Sequence, residues 1–307
     1  MKIPVVYAQH SHGCAPTYTI EALKRMGHDT RHMEVSEFYA ANPDEYDLFF
    51  CQDSGQGIDF RPVSDKTVKK ACYWIWDSRF NFLQRNPGDD DMAKYVADRG
   101  GWVFQAQSPD LKRNQEQGIT RVSYLPIAGD PVVWQREPVV ARTKDTAFIG
   151  NCYDSGRGRA LEFAKNNLGL YWPGPNGLFF EAAADVYRRS WACFHAPTFY
   201  ETPHDVTGQR IDYDLTMRYY EALLCGIPII TPPMPDFDAL NFRDRYHVYI
   251  YNSLEETSNL LQLAKSKMTE SGYSESLRSF VVENHTYEHR LRSAFETLTS
   301  AGVLCLT

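Results

Sequence analysis

The chain has 307 residues, 43% of them hydrophobic and 14% aromatic, with a formal net charge of −7. That length can bury a large core and accommodates two domains, while the acidic balance argues against a protein that lives on nucleic-acid backbones. No apolar run approaches the roughly 20 residues a membrane span needs, and the amino terminus MKIPVVYAQH lacks the apolar core of a secretory signal. Seven cysteines stand at 14, 51, 72, 152, 193, 225 and 305, none paired at metal-ligand spacing, which points to free buried thiols in a reducing, cytoplasmic setting.

In chain order, IPVVYA (3–8) predicts a strand, HSHGCAP (10–16) a Gly/Pro loop, and TYTIEALKRMG (17–27) a helix with Ile20, Leu23 and Met26 at helical spacing. YDLFFCQ (46–52), ACYWIWD (71–77) and GWVFQAQ (101–107) read as further strands. SPDLKRNQEQG (108–118) reads as a helix capped by Ser108, and RVSYLPIAGDP (121–131) closes the half. The stretch 132–144, with Pro138 and mixed charge, is the expected linker. A second half opens with DTAFIGN (145–151) and the helix GRGRALEFAKNNLG. It continues with strands at 170–175, 190–197, 226–233 and 247–253, and ends in the helices LEETSNLLQLAKSKM and SESLRSFVVENHTYEHRLRSAFETLTSAG. Apolar strands alternating with helices predict parallel sheets covered on both faces. The expectation is two doubly wound α/β domains, over 1–140 and 145–283, with ligands at the carboxyl ends of the strands in an interdomain cleft.

Several of these segments resemble the GT-B glycosyltransferases, and within them the CgeB-like group named for a spore-maturation protein. The matching stretches are EALKRMGHDTRHMEV (21–35), the segment 103–131 ending in LPIAGDP, AFIGN (147–151), DLTMRYYEALLCGIPIIT (214–231) and the tail NHTYEHRLRSAFETL (284–298). The resemblance implies two tandem Rossmann-like domains, an N-terminal acceptor domain and a C-terminal nucleotide-sugar domain, with a terminal helix over 284–307 packed back on the first. It also implies a nucleoside-diphosphate sugar as co-substrate, a UDP-sugar being the expected one. No cofactor and no metal are expected. One departure stands out: eight positions before Glu221, where glycogen-synthase-type retaining enzymes carry a first glutamate, this chain has Tyr213 between Asp212 and Asp214.

In that block, Arg218 and Glu221 lie three apart and share a helix face. A surface ion pair is the plain reading; a carboxylate for ribose hydroxyls and a guanidinium for phosphate is the functional one. The helix start adds free N–H groups and the Thr216 hydroxyl, with Asp214 as the expected cap. Gly150 allows a ligand to approach the backbone, and Arg157 and Arg159 in GNCYDSGRGRA are candidates for a diphosphate clamp. Neither a Walker loop nor GxGxxG is present. His195 and Trp172, in aromatic strand-end loops, are candidate contacts to the base. On the acceptor side, His12 (or His10) could touch sugar or phosphate, and Asp77 could deprotonate an acceptor hydroxyl. GDDD (88–91) reads as a solvated helix start rather than a metal site.

The expected activity is metal-independent glycosyl transfer, with retention, to an acceptor that could be a glycan, a protein, a small molecule or a modified DNA base. A non-catalytic nucleotide- or sugar-binding protein on the same fold, or a sugar-nucleotide epimerase of the same architecture, are the alternatives.

Overall fold

The computed structural model describes residues 1–8, 15–53, 57–76, 92–134, 141–152, 155–174, 178–196 and 215–304. Eleven strands lie among them: β1 Val5–Val6, β2 His32–Met33, β3 Phe49–Asp53, β4 Ala71–Ile75, β5 Trp102–Gln105, β6 Val122–Tyr124, β7 Lys144–Ala147, β8 Leu170–Tyr171, β9 Ser190–Phe194, β10 Ile229–Thr231 and β11 Val248–Ile250. The helices are α1 Ala15–Arg25, α2 Val35–Ala40, α3 Asp65–Lys69, α4 Met92–Asp98, α5 Ser108–Glu116, α6 Ser155–Asn167, α7 Phe180–Arg188, α8 Met217–Leu224, α9 Thr257–Met268, α10 Tyr273–Asn284 and α11 Tyr287–Ser300.

The chain divides into two units, one of Met1–Ala128 with Tyr287–Thr307, the other Gly129–Thr286. In the first, six strands form a sheet in the order β2-β1-β3-β4-β5-β6, every pair parallel. All five residues of β4 are buried, as a strand covered on both faces must be. One face packs Phe38, Phe49, Phe60, Tyr73, Val96 and Val103. On the other, Trp74 donates its indole N–H to the Leu125 carbonyl at 2.6 Å, and its ring meets Tyr287 of α11. Helix α11 also joins α1, through Tyr18 on Tyr287 and Arg25 Nε 2.5 Å from a Glu288 oxygen.

The second unit carries a five-stranded parallel sheet, β11-β10-β9-β7-β8. Strand order runs outward in opposite directions from the β7/β9 pair. That pair is the topological switch point, and ligands of such sheets bind in the crevice outside the carboxyl ends of the strands there. Helix α8 ends one residue before Cys225, and Gly226 adopts φ +74. Gly226 N–H bonds to the Leu223 carbonyl and Ile227 N–H to that of Ala222, the two bonds of a Schellman stop. The chain is thereby released directly into buried β10, and a Cβ at Gly226 would collide with Ser274, whose Oγ donates to the Gly226 carbonyl at 2.6 Å.

Four local expectations are corrected. Gln107, not Ser108, holds the cap position of α5; its side chain donates to the Trp76 carbonyl, and Pro109 fills the first turn. Helix α8 begins at Met217 with Thr216 as its cap residue, while Asp214 lies outside the described residues. Asn284 does not start the last helix but ends α10, its amide donating back to Phe280. The long C-terminal helix expected from the unbroken apolar spacing is interrupted at His285 and Thr286, where the Gly129 backbone pairs with the chain.

Candidate functional site

Three loops meet at the β7/β9 switch point of the second unit. After β7 come Phe148, Ile149 and Gly150; after β9 come His195 and Ala196; the third is the start of α8. Arg218, in the first turn of α8, joins all three. Its Nε donates to the Ile149 carbonyl at 2.8 Å, its Nη1 reaches His195 Nδ1 at 3.1 Å and Thr216 Oγ1 at 3.4 Å, and its guanidinium stacks 4.4 Å from the Phe148 ring centroid. Side chains on a helix lean toward its N-terminus, so an arginine at this position reaches back over the cap rather than forward. Hydrogen bonds to a charged group contribute about 1.5–3 kcal/mol each, enough to fix the loops around this one side chain.

With its guanidinium engaged by Ile149, His195 and Thr216, Arg218 forms no ion pair with Glu221. The Glu221 carboxylate has neither a hydrogen-bond nor an ion-pair partner among the described residues. Burial pushes its pKa up to about 7, with Arg218 nearby pulling the other way. Part of the side chain stays exposed, so water tempers the shift and its upward direction carries the argument. A partly buried carboxylate without a donor is destabilising by itself, and hydroxyl donors supplied by a ligand would relieve that cost.

Arg157 is buried at the start of α6. Its Nε donates to the Ala196 carbonyl at 3.0 Å and its Nη1 to the Asn151 carbonyl at 2.9 Å, so it too ties the end of β7 to the end of β9. The Phe148 ring lies 5.8 Å from this second guanidinium. Arg159, two residues on, is exposed; positions i and i+2 face different ways on a helix, so the structure brings only one of the two arginines inward.

His195 is fully enclosed, its ring 4.8 Å from that of Tyr219. Burial and the two neighbouring guanidinium groups, Arg218 before Arg157, hold its pKa well below the usual histidine value. Tyr219 in turn hydrogen-bonds Thr231 Oγ1 at 2.5 Å, and Thr231 donates onward to the Pro232 carbonyl. A Cβ at Gly150 would collide with Arg218 Nη2, from the start of α8. Its carbonyl accepts from Trp172 Nε1 at 3.0 Å, and Trp172 also lines a cavity of about 320 Å³ with Gly158, Leu161, Glu162, Lys165 and Leu170.

Of the sequence candidates, Arg218, Thr216, Gly150, Arg157 and His195 are thus within one connected network. Glu221 stands one turn further along α8, and Trp172 joins at its edge. Asp77, His12, His10, the Asp212–Asp214 stretch and GDDD lie outside the described residues. Sequence reasoning passed over Phe148, which carries both guanidinium groups; its only signal was an aromatic side chain two residues before a strand-end glycine. Among the described residues, no group of three or more His, Cys, Asp or Glu side chains could hold a metal ion, and no helix is long and apolar enough to cross a membrane.

Comparison with known proteins places these features in context. Residues 157–296 match the family model described as glycosyl transferase-like. A search of curated protein sequences finds no match. Among solved structures, HepE from Anabaena in complex with UDP-glucose aligns over 98% of this chain and 100% of its own, with a TM-score of 0.62 at 12% identity. A glycosyltransferase from Rickettsia africae aligns over 98% of each chain, with a TM-score of 0.61 at 10% identity. Sucrose-phosphate synthase from Thermosynechococcus elongatus covers 98% of this chain and 99% of its own, with a TM-score of 0.60 at 10% identity. The fold, two parallel sheets flanked by helices, is that of the GT-B glycosyltransferases.

Proposed function

We propose that this chain is a glycosyltransferase that takes its sugar from a nucleoside diphosphate donor bound at the β7/β9 edge of the second unit. The observation that carries this reading is the pairing of opposite chemistries on α8. Arg218 gathers the strand-end loops into a cationic floor with Arg157, while Glu221 presents a carboxylate with no partner among the described residues. A carboxylate accepts from the two adjacent hydroxyls of a ribose, and guanidinium groups with backbone N–H donors suit a diphosphate. As the sugar leaves, negative charge grows on the departing diphosphate, and these fixed positive groups stabilise it without a metal ion. UDP-glucose, bound by the Anabaena protein of the same fold, makes a UDP-sugar the first donor to try.

On the sequence resemblance, the enzyme is assigned to the CgeB-like group and works with retention in the cytoplasm. His12 is assigned to a contact with sugar or phosphate, and Asp77 to deprotonation of the acceptor hydroxyl should transfer prove inverting, the acceptor being a glycan, a protein, a small molecule or a modified DNA base. A thermal-shift panel of UDP-, GDP-, ADP- and TDP-sugars tests the donor. A ligand at 100 times its Kd adds about 2.7 kcal/mol of stability. Slow hydrolysis or transfer of the stabilising donor supports the enzyme. Binding without any turnover favours a non-catalytic nucleotide-binding protein, and absence of any nucleotide-dependent shift refutes the reading.

A further inference from the structure

The contact between Arg218 and His195 fixes more than the position of two side chains. A guanidinium has five N–H donors and no acceptor, so a hydrogen bond between Arg218 Nη1 and His195 Nδ1 requires Nδ1 to accept. The lone pair is therefore on Nδ1, and the ring proton of neutral His195 is on Nε2. Among the described residues Nε2 has no hydrogen-bond partner, although the residue is 1% exposed. His195 directly follows β9, at the switch point where Arg157 and Arg218 already tie the β7 and β9 loops together. A donor that the protein leaves unmatched at this edge is available to an acceptor on a ligand.

We infer that Arg218 acts on His195 as a tautomer lock, and that the Nε2–H so fixed donates to a phosphate oxygen of the nucleoside diphosphate. The inference rests on the donor reading above and gives one more residue of that site its role. A neutral donor suits the place. Two guanidinium groups face the imidazole, the Tyr219 ring packs against it, Tyr251 donates its hydroxyl to the His195 backbone carbonyl, and among the described residues no carboxylate is paired with it. A third positive charge beside Arg218 and Arg157 would be repelled, whereas a neutral N–H adds a directed hydrogen bond at no electrostatic cost. Arg218 is in this respect a positioning residue for His195, in addition to any contact of its own.

Two variants separate the ring nitrogens. Glutamine carries its amide near the place of Nε2 and asparagine near that of Nδ1. His195→Gln is expected to bind UDP within about threefold of the unaltered protein, and His195→Asn about tenfold or more weakly, the loss of one hydrogen bond to a charged group. Nitrogen-15 NMR of the histidine-labelled protein, with His195 assigned by its absence in His195→Gln, is expected to show a protonated Nε2 and an unprotonated Nδ1 unchanged from pH 5 to 8. Arg218→Met should abolish that fixed pattern. An Nδ1–H tautomer, or a ring that titrates in this range, overturns the lock whether or not the variants fold. Equal UDP affinity of His195→Asn and the unaltered protein overturns the phosphate contact. If the unaltered protein binds no nucleoside diphosphate, the donor reading falls and the phosphate contact with it, while the NMR result still decides the lock.

Discussion

Arg218 and Glu221 stand three residues apart on α8 and do not pair: the guanidinium turns back to His195 and Ile149, leaving the carboxylate without a partner among the described residues. The two charges are held for different purposes. One organises protein loops, and the other, in the donor reading proposed above, accepts from the hydroxyls of a ligand. The consequences can be measured.

Replacing Glu221 with glutamine should separate stability from binding. The folded-state pKa, about 7, is raised above the value the acid has when unfolded. Between pH 4.5 and 7 the native protein therefore holds a proton that the unfolded chain has released, and stability falls as pH rises through this window. Glu221→Gln removes that loss, so the variant is expected to melt higher than the unaltered protein at pH 8 and about equally at pH 5. UDP affinity should drop about tenfold or more, and the part of its pH dependence centred near 7 should disappear. Calorimetric titration and thermal melts at both pH values check the two arms.

Gly150→Ala places a methyl group against Arg218 Nη2. The obstacle is the end of a flexible side chain, so the fold should survive with a loss of about 1–3 kcal/mol. The guanidinium must swing away from Ile149 and His195, however, and nucleotide affinity is expected to fall about tenfold. An alanine variant that binds UDP as tightly as the unaltered protein would show that Arg218 is not needed where it stands.

His247 is expected to make the second unit sensitive to acid. Its ring stacks on Phe280 with centroids 3.8 Å apart, and its Nδ1 accepts from the Arg243 backbone N–H. Burial, with Arg243 adding to it, lowers its pKa to about 4. A histidine depressed in this way contributes stability present above pH 6.5 and lost as pH falls toward 4. Urea unfolding at pH 7 and pH 5 should show the loss, at most about 1.4 kcal/mol per pH unit. His247→Gln should flatten it.

In the first unit, Leu291 of α11 is fully buried beside Tyr287, Ala294 and Leu298. Leu291→Ala is expected to cost about 2–5 kcal/mol. Nucleotide affinity measured below the melting point should be retained, because every residue assigned to the donor belongs to the second unit. A change in UDP affinity without a change in melting would contradict this division of labour.

Long apolar strands were legible from sequence. β4 is a run of buried residues, and β5 and β9 nearly so, each between clear breaks, and Gly226 marked the end of α8 because only a residue tolerant of positive φ closes that stop. The helices α2, α3 and α7 went unread: α2 and α3 span under two turns, shorter than the window in which apolar spacing separates helix from loop. The break at His285 and Thr286 was also invisible. The apolar spacing runs through it, and its cause, the Gly129 backbone, is more than 150 positions away. The site shows the same limit. Gly150, Arg157, His195 and Arg218 were each recognisable as candidates, but the bonds that make them one network span 23, 39 and 69 positions. The side chain that crowds Gly150 comes from another helix, which no local pattern encodes.

The first unit is built from two pieces of chain, Met1–Ala128 and Tyr287–Thr307, and the second from the uninterrupted stretch between them. On the ribosome this arrangement sets an order. All of the second unit's residues are synthesised before the first unit has its last helix, so the second unit can mature while its predecessor still waits with the α11-facing surfaces of Trp74 and Tyr18 uncovered. Of these two units, the one whose residues are translated first is therefore the last that can finish folding, once the α11 segment has emerged from the exit tunnel.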